Sequence, residues 1–416
     1  MPPRAPRCAP ALAVAAILTL AVVLAGCGGG TNLLHKTQTT TRTSTVGIQS
    51  EDPQALARLG FPMLATKNTT RVDGADPIAD AAAVSLAVYP SAAAGTHPTA
   101  VTLAPTDDWQ AAIAASALMA SPVKAPILLS GPTSLPAATS QALSMLAPTG
   151  AGQASGAQVI RIGSVPAVKG LRTVSINGSD PYTLAAGIDR LATAIAGTPS
   201  SDVVIASATN AAYAMPAAGW AAESGNPILY VGSSGVPAAT AQALQSHNHP
   251  HIYVLGPSSV IPNATLKALA RYGTVKRVGA VDPAANSVAF AVYRDPDCTS
   301  GQACVHVPGS FGWAMRSPGH GYVLLSASRP LDAAAAAPLS GSGDYGPQLL
   351  VDDPSSLPKP VLDYFLDYAT PGYTAEGPTA AVYNHGWMIG DQSAISVGVQ
   401  AEVDDLLEAV PQSSAK

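Results

Sequence analysis

The fold is decided by a short motif, Gly178-Ser179-Asp180-Pro181, which recurs as Gly74-Ala75-Asp76-Pro77 and as Gly279-Ala280-Val281-Asp282-Pro283. The first glycines of successive copies are 104 and 101 residues apart. In every copy Asp stands where it can cap a helix and Pro takes the first helical position, an arrangement typical of a helix N-terminus. The spacing predicts a unit of about one hundred residues that occurs three times.

Each copy continues with the same order of elements. A helix follows the motif at 78–88, 182–196 and 284–293. A short apolar strand comes next, at 100–103, 202–205 and 322–325. Ala-rich helices follow at 109–120, 211–222 and 331–339, and second strands that begin with Pro lie at 126–129, 227–230 and 347–350. Third strands end at Gly163, Gly256 and Gly390. This alternation, with about three strands per unit, predicts α/β modules with parallel sheets and right-handed crossovers.

The composition excludes several classes of protein. Apolar residues make up 47% of the 416 residues and charged residues 11%, which is incompatible with a highly charged, disordered chain. The formal net charge is −5, so a basic nucleic-acid-binding protein is also excluded. We therefore expect a folded protein with no nucleic-acid partner.

The N-terminus has the pattern of an export signal. Arg4 and Arg7 precede an apolar run at 9–26 that ends in Leu24-Ala25-Gly26-Cys27. Small residues directly before Cys27 resemble a bacterial lipobox, which predicts a signal peptide at 1–26 and lipidation of Cys27, with acyl chains in the membrane. The alternative is an uncleaved transmembrane anchor. Residues 27–55 are rich in Gly, Thr and Ser and are expected to form a disordered tether.

Several motifs resemble the cell wall-binding repeat 2 family. They are Arg71-Val72-Asp73-Gly74-Ala75-Asp76, Ala125-Pro126-Ile127-Leu128-Leu129-Ser130, Leu255-Gly256-Pro257-Ser258-Ser259-Val260-Ile261 and, as a closing motif, Ile389-Gly390-Asp391-Gln392-Ser393-Ala394-Ile395-Ser396. The resemblance implies three tandem Rossmann- or flavodoxin-like modules around a pseudo-threefold axis. It also implies non-covalent binding to a cell-wall glycan or anionic polymer.

The repeats suggest a division of the chain into modules. We place them at 56–171, 172–276 and 277–400, with a C-terminal helix end and tail at 401–416. The predicted mature chain has a charge of −7, because cleavage removes Arg4 and Arg7 and no acidic residue. Binding to an anionic wall polymer would therefore require a local cationic cleft or a bridging cation.

An inserted loop, roughly 294–320, distinguishes the third module. It contains Cys298 and Cys304, which predict a disulfide in an exported protein; a metal site that includes His306 is the alternative. Phe311, Trp313, Arg316 and His320 suit contact with a sugar or a partner, but the aromatic pair could equally pin the loop onto the module.

Two further patterns have competing interpretations. His247, His249 and His251 alternate before a strand, which would suit a metal, but Asn248 and Pro250 favour an exposed polar loop. The run Gly341-Ser342-Gly343-Asp344-Tyr345-Gly346 has dinucleotide-binding spacing. Because it follows a helix and precedes a strand, the reverse of the required order, it indicates a surface turn.

The sequence contains no Gly-x-Ser-x-Gly elbow, His-Glu-x-x-His motif or phosphate-binding loop. We therefore expect a non-catalytic, lipid-anchored protein on the extracytoplasmic face of the membrane, without cofactor or metal. The residues that bind its ligand are not identified by the sequence. A solute-binding lipoprotein of a transport system and, less favoured, a cell-wall hydrolase are the alternatives.

Overall fold

The computed structural model describes residues 63–296, 310–342 and 346–412. The predicted signal peptide and tether, the lipidation site Cys27 and the Cys298–Cys304 disulfide lie outside the described residues. Within the described ranges, no helix is long and apolar enough to cross a membrane.

The strands of the structure are short, and fifteen are described. They are β1 (Met63–Ala65), β2 (Thr69–Val72), β3 (Val101–Pro105), β4 (Ile127–Ser130), β5 (Val159–Ile162), β6 (Thr173–Ile176), β7 (Asp202–Ser207), β8 (Ile228–Val231), β9 (His251–Leu255), β10 (Thr274–Val278), β11 (Gly321–Ser326), β12 (Gln348–Val351), β13 (Gly372–Tyr373), β14 (His385–Ile389) and β15 (Val410–Pro411).

The α-helices alternate with these strands. They are α1 (Pro77–Val88), α2 (Trp109–Ala114), α3 (Ala137–Leu146), α4 (Pro181–Ala196), α5 (Ala211–Ala214), α6 (Pro216–Ser224), α7 (Ala238–Ser246), α8 (Asn263–Leu269), α9 (Pro283–Val292), α10 (Pro330–Ser340), α11 (Lys359–Tyr364) and α12 (Val397–Leu406). A 3₁₀ segment, Ala115–Met119, continues α2, and a π-helical turn, Phe365–Ala369, continues α11.

Three separate sheets hold the main strands. Their strand orders are β4-β3-β5-β6, β8-β7-β9-β10 and β12-β11-β14-β2-β1, which we call the first, second and third sheets. Every pairing in them is parallel except that of β1 with β2. The predicted α/β class with parallel sheets is therefore confirmed. The pseudo-threefold arrangement and the module boundaries stay predictions.

Four strands of these sheets were not predicted from the sequence. β6, β10 and β2 each lie just before a Gly-x-Asp-Pro motif or its variant, and β1 pairs with β2 at the edge of the third sheet. β6 and β10 are edge strands that mix polar and apolar residues and are partly exposed. A continuous apolar run indicates a strand buried on both faces, and β6 and β10 contain no such run.

The third sheet takes a strand from the other end of the described chain. β2 pairs with β14 in the register Gly386↔Thr69 to Ile389↔Val72. The Arg71 side chain is fully buried there and donates to Gln400 Oε1 at 3.0 Å and to the Gly390 carbonyl at 2.8 Å. This pairing joins strands from the two ends of the described chain and completes the third sheet.

The three predicted helix caps are confirmed. The side chains of Asp76, Asp180 and Asp282 accept hydrogen bonds from the first-turn backbone of α1, α4 and α9, and a Pro follows each. The cap provides an acceptor for amide groups that have no partner within the helix.

The Ala-rich helices pack on one another as well as on the sheets. α10 contacts both α1 and α6, and α6 contacts the 3₁₀ segment after α2. Every residue of α10 from Ala333 to Ala337 is fully buried. The approach is close, since a Cβ on Gly219 would lie 2.7 Å from Ser340 Oγ. Small side chains therefore let helices from the three sheets meet in the core.

Candidate functional site

The carboxyl edges of the three sheets lie on one face of the molecule. α4 begins after β6, at the edge of the first sheet, and packs over β8 of the second, where Tyr182 Oη lies 2.7 Å from a Cβ built on Gly232. α1 packs over β4 and α9 over β12 in the same way. Each of these helices starts at one sheet's carboxyl edge and runs back along the next sheet. We call the shared surface the carboxyl face.

Short polar loops form the carboxyl face. They lie at 73–76, 106–108, 131–134, 163–166, 177–180, 208–210, 232–235, 256–259, 279–282, 327–329, 352–356 and 390–393. Ser, Thr, Gly and Asp dominate these loops. Ligands of open α/β sheets bind outside the carboxyl ends of the strands, so this face is the candidate site.

The carboxyl face carries an excess of carboxylates. Asp73, Asp76, Asp107, Asp108, Asp180, Asp282, Asp352, Asp353 and Asp391 all lie in its loops. Hydrogen bonds from Ser355 and Ser356 lower the pKa of Asp353, and hydrogen bonds from Ser393 lower that of Asp391. Both groups are therefore ionised at neutral pH. The face offers hydrogen-bond acceptors and repels anions.

Half-buried aromatic rings accompany these acceptors. Trp109, Tyr182 and Tyr213 stand in the first turns of helices that begin at the carboxyl face. The Trp109 ring meets the Tyr230 ring edge-on, with centroids 6.0 Å apart. The Tyr213 hydroxyl donates to the Val281 carbonyl at 2.7 Å. Rings held in this way present an apolar surface beside polar groups.

A buried charged cluster lies beneath the third sheet's part of this face. Arg329 Nη2 donates to Asp80 Oδ2 at 2.6 Å, and Arg329 Nε lies 2.8 Å from Asp332 Oδ2. Both carboxylate side chains are fully buried, and Arg329 is 17% exposed. Burial raises the pKa of Asp80, and the Asp332 charge raises it further. Burial also raises the pKa of Asp332, against the lowering effect of Arg329.

The other two sheets lack this cluster. Four residues after the capping Asp, Asp80 is replaced by Leu184 in the first sheet's helix and by Asn286 in the second's. Asp332 lies six residues after the end of β11. The equivalent positions after β3 of the first sheet and β7 of the second sheet hold Ala111 and Tyr213. The cluster was not predicted from the sequence, although an alignment of the three predicted copies shows a carboxylate pair in one copy alone.

The three histidines are placed differently from one another. His249 is exposed, as predicted for a polar loop, but the prediction is wrong for His247, which is 5% exposed. Its Nδ1 faces the Ser200 carbonyl at 2.9 Å and its Nε2 faces Asp189 at 3.0 Å. His251 Nδ1 lies 3.1 Å from Asp202. In the described part of the chain, no group of three His, Cys, Asp or Glu side chains could hold a metal.

His247 should make the stability depend on pH. Burial lowers its pKa, but the hydrogen bond and charge of Asp189 outweigh burial, and the net pKa is raised. The stabilisation is therefore complete below the unfolded pKa of about 6.5 and is lost as pH rises through the folded pKa. We expect His247→Gln to lower the free energy of unfolding by about 1.5–3 kcal/mol at pH 5.5, and by less at pH 9.

Chemical denaturation at a series of pH values would measure this difference. His249→Gln, which changes an exposed neighbour, is the control and should alter the stability little. An effect of His247→Gln that is constant with pH would contradict the charged pair.

The remaining sequence candidates have structural roles. Phe311 and Trp313 are fully buried, and Phe311 stacks on Tyr253 with ring centroids 3.6 Å apart. The two rings therefore anchor this end of the insert in the core, as the second of the two interpretations predicted. Arg316 donates to the Val292 carbonyl, and burial lowers the pKa of His320. The Gly341–Gly346 motif falls between α10 and β12, the order expected of a turn, and its residues 343–345 lie outside the described residues.

Comparison with known families bears on this arrangement. Residues 176–266 match the family model of cell wall binding domain 2 (CWB2). The matched segment runs from the end of β6 into α8 and includes β7, β8 and β9. The resemblance that the motifs suggested is thereby confirmed for this part of the chain, and it supports association with the cell wall.

Solved structures share the fold. Cwp8 from Clostridium difficile superimposes with a TM-score of 0.60 at 17% identity, over 82% of this chain and 52% of that one. Cwp6 from the same organism superimposes with a TM-score of 0.60 at 16% identity, over 83% of this chain and 49% of that one. This chain thus spans about half the length of either protein. No curated protein matches the sequence.

The CWB2 match does not include the charged cluster. Asp80, Arg329 and Asp332 all lie outside residues 176–266. The loops at 208–210, 232–235 and 256–259, by contrast, belong to the matched segment and supply the second sheet's part of the carboxyl face.

Proposed function

We propose that this chain is a non-catalytic cell-envelope lipoprotein that binds a cell-wall polymer through the carboxyl face. Lipidated Cys27 holds it at the extracytoplasmic side of the membrane, and a Cys298–Cys304 disulfide closes the inserted loop. The CWB2 match at 176–266 is the observation that carries this proposal. The order of the helices and loops supports a ligand site that all three sheets share.

The chemistry of the face favours a hydroxylated segment of the polymer. Sugar hydroxyls donate to carboxylates and to Ser and Thr oxygens, which the loops supply in number. Apolar C–H faces of a sugar ring pack on half-buried aromatic rings such as Trp109. The excess of carboxylates disfavours an anionic segment at this face.

Retention by purified cell walls tests the proposal. We expect the purified chain to sediment with walls, and Trp109→Ala to reduce retention about tenfold, because loss of an aromatic contact of about 1.4 kcal/mol changes an affinity tenfold. Tyr383→Ala is the matched control, since Tyr383 is 62% exposed and lies outside the carboxyl face, just before β14.

Thermal unfolding of both variants would show that each remains folded. Retention no greater than that of an unrelated acidic protein would overturn wall binding. Equal retention of the two variants would overturn the assignment to the carboxyl face.

A further inference from the structure

The second sheet carries an unusual run of positive charge. Between Ser224 and Val281 the sequence has no Asp or Glu and four basic residues, Lys267, Arg271, Lys276 and Arg277, whereas the whole chain has a charge of −5. Lys276 pairs with Asp295 at 2.7 Å, and Arg277 donates to the Gly256 and Ile261 carbonyls. Lys267 and Arg271 are exposed and form no ion pair within the described residues.

Arg271 lines a half-open surface cavity of about 370 Å³ at the amino ends of β9 and β10. We call it the basic cavity. Its lining residues are Gln245, Asn248, His249, Arg271 and Tyr272. Together they present a guanidinium, an imidazole, two amides and a phenol, and no carboxylate. The cavity is therefore rich in hydrogen-bond donors and has no fixed negative charge.

Two segments line the basic cavity, 245–249 before β9 and 271–272 before β10, and their backbones are fixed to one another. Thr274 N donates to the Pro250 carbonyl at 3.1 Å, and a Cβ on Gly273 would lie 1.9 Å from the same oxygen. Asn248 and His249 adopt left-handed φ values of 52° and 63°, a conformation that costs about 1–3 kcal/mol per residue and persists where the surroundings enforce it. The backbone that carries Asn248, His249 and Tyr272 is thus held in place before a ligand arrives, which lowers the cost of binding.

We propose that the basic cavity binds an oxyanion carried by a sugar, either a phosphate or a carboxylate. The Arg271 guanidinium offers the paired donors that match a planar or tetrahedral oxyanion, and the amides and His249 add further donors. The amino edge that holds this cavity is opposite the acidic carboxyl face. This site does not depend on wall binding by that face, so the two proposals fail separately.

Calorimetric titration of the purified chain tests the site. The probes are inorganic phosphate, glucose 1-phosphate and glucuronate, at low ionic strength because salt screens an exposed site. We expect saturable binding of at least one probe, and preference between the phosphates and glucuronate identifies the oxyanion. Arg271→Met should weaken binding at least tenfold, and Arg271→Lys should weaken it less because the charge remains.

Arg190→Met is the control, because it removes an equal charge from an exposed position on α4. It should leave the affinity within about twofold of the unaltered chain, a difference of about 0.4 kcal/mol. Two outcomes would overturn the proposal: no saturable binding of any of the three probes, or an Arg271→Met affinity equal to that of Arg190→Met.

Discussion

Replacing Arg71 by Met is expected to lower the free energy of unfolding by about 3 kcal/mol or more. The fully buried guanidinium donates to Gln400 Oε1 and to the carbonyls of Gly390, Asp391 and Ser396. Met fills much of the space but leaves these buried acceptors without a donor, and each unsatisfied group carries a desolvation penalty. Urea unfolding followed by circular dichroism would measure the loss.

Arg277 provides a matched control for this substitution. It occupies the same place in β10 as Arg71 does in β2, one residue before the final Val, and donates to the Gly256 carbonyl at 2.6 Å. Because Arg277 is only partly buried, water can replace its hydrogen bonds. Arg277→Met should therefore lower the free energy of unfolding by only about 1 kcal/mol. If Arg71→Met were no more destabilising than Arg277→Met, the closure of the third sheet would not depend on the buried arginine.

Hydrogen exchange would locate the effect of Arg71→Met. Amides of β2 and β14 should lose protection first, because the substitution loosens the pairing between them. Amides of β7 in the second sheet should keep their protection until global unfolding.

Replacing Arg329 by Met is expected to destabilise the protein by about 3–5 kcal/mol at pH 8. The change leaves Asp80 and Asp332 buried side by side without a counter-charge. A carboxyl whose folded pKa lies above its unfolded value stabilises the fold fully at low pH, and this contribution is lost as pH rises through the folded pKa. Both pKa values are already raised, and removal of Arg329 raises them further. Arg329→Met should therefore lower the free energy of unfolding less at pH 5 than at pH 8.

Two further variants separate this cluster from ordinary surface pairs. Lys359→Met breaks the exposed pair with Asp363 and should change the stability by less than about 0.5 kcal/mol. Asp80→Leu, added to Arg329→Met, introduces the residue found at Leu184 in the first sheet and should recover part of the loss. Denaturation midpoints at pH 5 and pH 8 would compare all three, and a cost of Arg329→Met that did not grow with pH would contradict the buried carboxylate pair.

Local signals in the sequence were sufficient for much of the fold. Asp180-Pro181 predicted both the cap and the start of α4, and the apolar run at 202–205 predicted β7. The edge strand β6 was missed because its exposed residues leave no continuous apolar run. On the candidate site, the sequence showed loops rich in Ser and Asp but not that three sheets bring them to one face.

The sequence by itself determined the helix caps, the buried parallel strands and the likeness to CWB2 at 176–266, and it predicts the repeat, since each depends on residues that are close in the chain. The tertiary structure alone decided that β2 completes the third sheet with β14, that Asp80 meets Arg329, and that Arg271 and His249 line one cavity. The residues of the first two contacts are hundreds of positions apart, and none of the three pairings produces a local pattern. Their positions follow from how helices and strands pack, because packing is fixed by the whole core rather than by neighbours in sequence.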